Sequence, residues 1–366
     1  MPIGVRFRNL RIFFSFVSLI LEELLIRTYK LCLLGVGNVN RTLLRLLRSR
    51  EQELREQYGI AWKITGVASR RLGWIANGEG LPTLPAADGS AFEDNGSKLN
   101  GVREWLRAAE ADVLFEATSL NVENGQPAIE HIRSALECGA HAITANKGPI
   151  VFAYDELRDL AAAQGKRFLF ESTVMDGAPI FSLFREHLPT VHLRGFRGIL
   201  NSTTNLILSG MEEGLSFEQA LQKAQNIGVA ETDASHDIDG WDAAVKVAAL
   251  VTVLMGVRLR PGDVDREGIR GLTAEAVFTA RAAGTPYKLV CHAKRTTGGI
   301  SATVGPEQVP LSDPLAWVAG TSSIVCFETD MFPGLIIRED NPGLDTTAYG
   351  MLADFMKAVS YKGSEQ

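Results

Sequence analysis

Residues 224–246 place Glu231, Asp233, Asp237, Asp239 and Asp242 ahead of one lysine, Lys246. The lysine leads into an apolar run, VAALVTVLMG. Asp242 and Lys246 are four residues apart, so a helix sets both on one face. A carboxylate and an amine at the mouth of an apolar helix can bind a zwitterion and move a proton. The same spacing also fits a solvated acidic loop followed by a surface ion pair, which contributes little. Upstream, residues 35–40 read GVGNVN between a short apolar run and a long helical pattern. Strand, glycine loop and helix together suit a dinucleotide. Gly35 would make the tight turn, Gly37 would admit the pyrophosphate, and the helix N-terminus would attract its charge. Val36, Asn38 and Val39 complete that loop, and Asn40 stands where the usual fingerprint has a third glycine.

The next strand candidate ends in Arg70 and Arg71 with no acid. A site for NAD commonly places an acid there for the ribose hydroxyls. Two guanidiniums suit a 2′-phosphate, so the expected cofactor is NADP, with NAD as the alternative. The plain alternative is that both arginines face solvent.

Elements that could position these groups alternate along the first half. Strand candidates fall at 30–34, 64–69, 112–118, 141–145 and 167–173, with helical patterns at 41–59, 98–110, 126–138 and 154–165. That alternation argues for a parallel α/β sheet. Residues 76–101 are rich in Gly, Asn, Pro and Asp and read as loop. Beyond about residue 175 helices and strands mix, as in an α+β domain, and an amphipathic helix closes the sequence.

The chain has 366 residues, 46% hydrophobic and 22% charged, which is ordinary globular composition for about two domains. A net charge of −6 carries no nucleic-acid footprint. Cys32, Cys138, Cys291 and Cys326 have no paired spacing, which argues against a disulfide framework or zinc site and for a reducing, cytoplasmic compartment. Residues 1–27 include an apolar run at 12–21, too short to span a bilayer and without a clean cleavage site. They read as an added helix or an extended gene start, and no membrane partner is expected.

Residues 30–361 resemble the homoserine dehydrogenase family in its short form, without a regulatory domain. The family signature has the form A-x3-G-hydrophobic-small-x2-[D/N/S]-P-x2-D-x2-G-x-D-x3-K. Ala224, Gly228, Asp233, Asp237, Gly240, Asp242 and Lys246 fall in step with it, and Ala234 replaces its proline. Residues 144–149 resemble its TANK loop, 171–180 its E-A-T-V-x-x-G-x-P-I turn, and 201–205 its N-G-T-T-N, with Ser202 for glycine. Pro342 and Gly343 before Thr347 and Ala348 resemble a closing loop that returns to the cofactor, shorter here than the family's PGAG form.

The resemblance implies a Rossmann-type nucleotide-binding domain at 28–150, joined by the C-terminal helix 343–361. A catalytic and dimerisation domain would occupy 151–342, in a homodimer. It implies reversible, NAD(P)-dependent interconversion of L-homoserine and L-aspartate 4-semialdehyde, in threonine, methionine and isoleucine biosynthesis. Lys246 would be the acid/base and Asp242 its neighbour. Glu231, Asp237 and Thr203 would bind the amino-acid substrate, and Lys147 would lie between substrate and cofactor. Thr118 and Gly343 would join the cofactor site. Glu171, with the carbonyls of Val174, Asp176 and Ala178, would match a monovalent-cation site, such as one for sodium. A lysine titrates near ~10.4 and must be neutral to act as a base, so homoserine oxidation should prefer alkaline pH. Two competing readings are another amino-acid semialdehyde oxidoreductase and a non-catalytic NADP-binding sensor on the same fold.

Overall fold

The computed structural model describes residues 26–82 and 99–360. The segment 1–25 and most of the Gly- and Asn-rich stretch, 83–98, lie outside the described residues. Strand β1 (Arg27–Leu34) buries Leu31, Cys32 and Leu33 completely. A run buried on both faces belongs inside a parallel sheet covered by helices. Accordingly β1 pairs in parallel with β2 (Ile60–Ser69) and with β4 (Val113–Glu116). β5 (His141–Thr144) and β6 (Phe168–Leu169) extend the parallel run, while β3 (Gly73–Ala76) folds back antiparallel on β2. The order β3-β2-β1-β4-β5-β6 changes direction between β1 and β4. In such sheets the ligand crevice opens at that point, beyond the carboxyl ends of the strands. The fold is therefore α/β with a doubly wound first sheet, and that sheet brings Gly35, Thr118 and Lys147 to one edge.

Two expectations about local structure are corrected. The helix expected at 41–59 is two, α1 (Asn38–Ser49) and α2 (Glu51–Tyr58), because Arg50 leaves helical geometry at φ −112°. The strand expected at 167–173 ends at Leu169, and Glu171–Thr173 forms a tight helical turn. Glu171 turns the chain there: its N–H donates to Asp354 Oδ2 at 2.8 Å, and its carboxylate accepts the N–H groups of Phe181 and Ser182. The remaining helices of this half are α3 (Val102–Ala108), α4 (Ala128–Glu137) and α5 (Gly148–Ala163).

The second sheet runs β12-β11-β7-β9-β10-β8. It comprises β7 (Leu193–Ile199), β8 (Asp265–Arg266), β9 (Tyr287–Thr296), β10 (Gly299–Gln308), β11 (Ser323–Thr329) and β12 (Leu335–Glu339). All its pairs are antiparallel except β8 with β10. The helices here are α6 (Ser202–Glu212), α7 (Phe217–Asn226), α8 (Trp241–Leu254) and α9 (Ala274–Ala282). α8 is apolar nearly all round because it is enclosed: Val245, Val247, Ala248 and Leu250 are buried between β9 and α5.

Helix α10 (Leu344–Ser360) then returns to the first sheet. Met351, Leu352 and Phe355 pack with Leu31, Leu33, Leu43 and Phe115, and Phe355 meets Tyr29 and Phe115 edge-on. Its opening turns cross residues 172–177 so closely that a Cβ on Gly350 would lie 2.8 Å from Gly177 Cα.

Candidate active site

The nucleotide side begins at Gly35, where φ is +84° and a Cβ would stand 2.5 Å from Ala117 O. Only glycine lets the loops after β1 and β4 approach this way. Asn40, in place of a third glycine, is fully buried, and its Nδ2 donates to Leu34 O (3.1 Å) and Gly35 O (2.9 Å). The substitution thus ties the loop down. No side chain caps the N-terminus of α1 and no acid lies in its first turn. A Cβ on Gly37 would meet nothing within 4 Å. Helix-terminal amides beside open space fit a pyrophosphate. Val36 and Val39 pack partly against the core, Asn38 opens the helix, and Arg70 and Arg71 occupy the exposed turn between β2 and β3.

Two residues that sequence reasoning left without a role hold the opposite wall. Glu116 is fully buried at the end of β4 and accepts from Thr118 N (3.0 Å), Thr144 Oγ1 (2.6 Å) and the Thr118 hydroxyl. Asn146 donates to Thr118 O at 3.1 Å and accepts from Gly148 N at 2.9 Å. Between them they fix the loops that carry Thr118 and Lys147. A carboxylate ending an apolar strand, two residues before a threonine, was the available signal.

The catalytic side is assembled from three directions. Gly240, at φ +79°, turns the chain into α8. In the first turn of α8, Asp242 Oδ2 lies 3.1 Å from Lys246 Nζ, while Asp242 Oδ1 lies 3.2 Å from Lys147 Nζ, at the start of α5. The side chains of Lys246, Asp242 and Lys147 are 15%, 21% and 20% exposed, so these are not solvated surface pairs. Lys246 also donates to Leu200 O at 2.6 Å, just past β7. Asn201 follows, and its Oδ1 accepts from Thr204 N at 2.8 Å to cap α6. Its Nδ2 donates to Asp237 Oδ1 (2.6 Å) and Asp242 Oδ2 (3.0 Å). Thr203 is buried beside Asp237.

The charges follow from this packing. Burial works to lower the Lys246 amine, but Asp242, Asp176 and Asp237 carry it above its ordinary value. Burial would raise Asp242, yet Lys147, Lys246 and Asn201 hold it well below the usual carboxylate range. Burial and the Asp242 charge raise Asp237. Burial and Asp176 push the Glu339 carboxyl up to about 7. The arrangement keeps Lys246 charged and oriented, with acids around it for a cationic ligand.

The other expected residues are placed differently. Glu231 is exposed on the loop after α7, where Gln225 Nε2 donates to its carbonyl. Gly343 precedes α10, and its N–H donates to Thr346 Oγ1 at 3.0 Å. Glu171, Val174, Asp176 and Ala178 share one loop. Both Glu171 oxygens already accept backbone N–H groups, and Ala178 O accepts from Ile180 N at 2.8 Å. Any cation there would share these oxygens with the amides. Among the described residues, no group of three or more His, Cys, Asp or Glu side chains could hold a metal ion. Cys32 and Cys291 are fully buried and pushed up to about 12, and burial raises Cys326 as well, the reverse of what a nucleophilic thiol needs.

Comparison with known proteins gives a consistent result. Residues 179–356 match the family profile described as homoserine dehydrogenase, and residues 35–171 match that of the homoserine dehydrogenase NAD binding domain. An NAD(+)-dependent homoserine dehydrogenase of Pseudomonas canavaninivorans is 35% identical over 335 residues, covering 90% of this chain and 95% of that protein. A crystal structure assigned as a homoserine dehydrogenase from Archaeoglobus fulgidus superposes with a TM-score of 0.79 at 31% identity, covering 90% of this chain and 98% of the other. A hyperthermophilic archaeal homoserine dehydrogenase mutant in complex with NADPH superposes at 0.74 with 26% identity, covering 93% of this chain and all of the other.

Proposed function

Because this chain belongs to the homoserine dehydrogenase family, we propose that its crevice interconverts L-homoserine and L-aspartate 4-semialdehyde through Lys246. The observation that carries the proposal is Lys246 Nζ fixed between Asp242 and Leu200 O, beside Lys147 at the edge of the nucleotide-binding sheet. A bound nicotinamide supplies or accepts the hydride. The protein's task is to hold the substrate and manage one proton. In the reducing direction Lys246, kept charged by Asp242, donates its proton to the carbonyl oxygen. In the oxidising direction the neutral amine removes the hydroxyl proton. Positioned general acid–base catalysis of this kind contributes roughly 10²–10⁴ in rate.

Asp237, Thr203 and Glu231 are assigned to the substrate, and Lys147 to the boundary between substrate and cofactor. Gly35, Val36, Gly37, Asn38, Val39, Thr118 and Gly343 are assigned to the dinucleotide. Arg70 and Arg71 favour NADP. The relatives differ here, one being NAD(+)-dependent and another bound to NADPH. A monovalent cation on Glu171 and the carbonyls of Val174, Asp176 and Ala178 would brace the loop under Lys246, read as Na+-dependent thermal stabilisation of the free protein. Among the described residues no helix is long and apolar enough to cross a membrane. The enzyme is assigned to the cytoplasm, as a homodimer in amino-acid biosynthesis leading to threonine, methionine and isoleucine.

The deciding experiment is a spectrophotometric assay with L-homoserine and each of NAD+ and NADP+, beside Lys246→Ala. Turnover with one or both cofactors and its loss in the variant are expected. No turnover with either overturns the reaction; unchanged turnover in the variant overturns the role of Lys246. A cofactor-binding protein without homoserine-dependent turnover would be the sensor alternative.

A further inference from the structure

Glu339 ends β12 just before the chain turns through Pro342 and Gly343 into α10. Its carboxyl lies within electrostatic reach of Asp176 and Lys246, with Thr346 beside it. Oε2 is closed off from solvent and has no hydrogen-bond partner. A buried acceptor without a donor is costly and uncommon in folded proteins, so the position calls for a donor from outside the chain.

The neighbouring acids are already supplied. Asp242 takes Lys147, Lys246 and Asn201; Asp237 takes Asn201; Asp176 Oδ1 accepts from Thr347 Oγ1 at 2.6 Å. Lys147 pairs with Asp242, and Lys246 has Asp242, Asp176, Asp237 and Glu339 around it. Burial and neighbouring acids raise Asp237 and Glu339, so a cation brought to this wall would be favoured. A zwitterionic amino acid offers one group that both donates hydrogen bonds and carries positive charge, its α-ammonium. The substrate's carboxylate would be repelled from this wall.

On the reading that the substrate is homoserine, we propose that Glu339 accepts a hydrogen bond from the substrate's α-ammonium, making it a specificity-determining residue contributed by the end of β12. The short connection from Glu339 to α10 sets this carboxyl against the site. Glu231 is exposed, so Glu339 gives the ammonium an inward acceptor that needs no loop movement.

The test compares full-length wild type with Glu339→Gln. L-homoserine and 4-hydroxybutanoate, the same chain without the amino group, are compared, the latter as alternative substrate or competitive inhibitor. For homoserine, KM should rise roughly 10- to 100-fold in Glu339→Gln, with a smaller change in kcat. For 4-hydroxybutanoate KM should shift far less, with the same small change in kcat. Equal losses with both compounds, or a change confined to NAD(P)+, would overturn the proposal. Glu339→Asp, which keeps the charge at shorter reach, should fall between the two proteins, and it carries the test if Glu339→Gln does not fold. Wild-type turnover on homoserine tests the reaction itself, whereas the ratio between the two compounds tests Glu339.

Discussion

Lys246 has three ammonium hydrogens, and two directions are taken by Leu200 O and Asp242. The third is left for the reacting oxygen. The amine lies above its ordinary value, so the neutral base is scarce at neutral pH and grows about tenfold per unit as pH rises. The logarithm of kcat for homoserine oxidation should therefore climb with a slope near ~1 and show no plateau below pH about 10. Reduction of the semialdehyde should stay level over the same range. Stopped-flow or steady-state rates in both directions check this, and an early plateau in the oxidation profile would count against Lys246. Asn201 supports a second prediction. Its amide serves Asp237 and Asp242 at once, so Asn201→Ala strips a donor from two acids and should lower kcat/KM roughly 10- to 100-fold. An unchanged kcat/KM would show that the bridge is dispensable. The pair Asp242–Lys246 was legible from its four-residue spacing. The role of Asn201 was not, because its acidic partners lie 36 and 41 residues away. Glu339 likewise gives no local sign, since its neighbours come from separate elements.

At the scale of elements, the parallel strands and the loop after β1 could be read from apolar runs and glycines, because their burial is written into consecutive residues. The shortened β6 could not. Its end depends on Asp354 taking the Glu171 N–H, a partner 183 residues away. The adjoining β5 opens on His141, whose Nδ1 accepts the Arg167 N–H at 3.1 Å. Burial, then Lys166 and Arg167, lower this imidazole from 6.5 to about 4. Between those values the unfolded chain binds a proton that the folded chain refuses. The contribution to stability is therefore full above the ordinary value and declines as pH falls through the window. His141→Asn keeps an acceptor without titrating and should flatten that part of the stability curve. Urea midpoints at pH about 7 and about 4.5 measure it; parallel curves for the two proteins would refute the assignment.

Across the whole molecule, α10 is shared property. Thr346 and Thr347 approach the catalytic cleft, and Phe355 sits in the core of the nucleotide-binding sheet. The join depends on Gly350 and Gly177 meeting without side chains. Gly350→Ala should cost about 1–3 kcal/mol by overpacking and also lower kcat, since the crossing carries Thr347 toward Asp176. Thermal unfolding and turnover measured on the same preparation check both effects; a loss of stability with intact kcat would separate the helix from the site.

The same helix also sets the order in which the molecule can be made. β1 leaves the ribosome well before α10, yet Leu31, Leu33 and Phe115 have part of their cover on Met351, Leu352 and Phe355. Domains generally fold as units during synthesis, the N-terminal one first. Here the nucleotide-binding half must wait, its apolar face open, until translation has passed residue 355. Through that interval the growing chain offers this surface to whatever shields exposed apolar side chains in the cell.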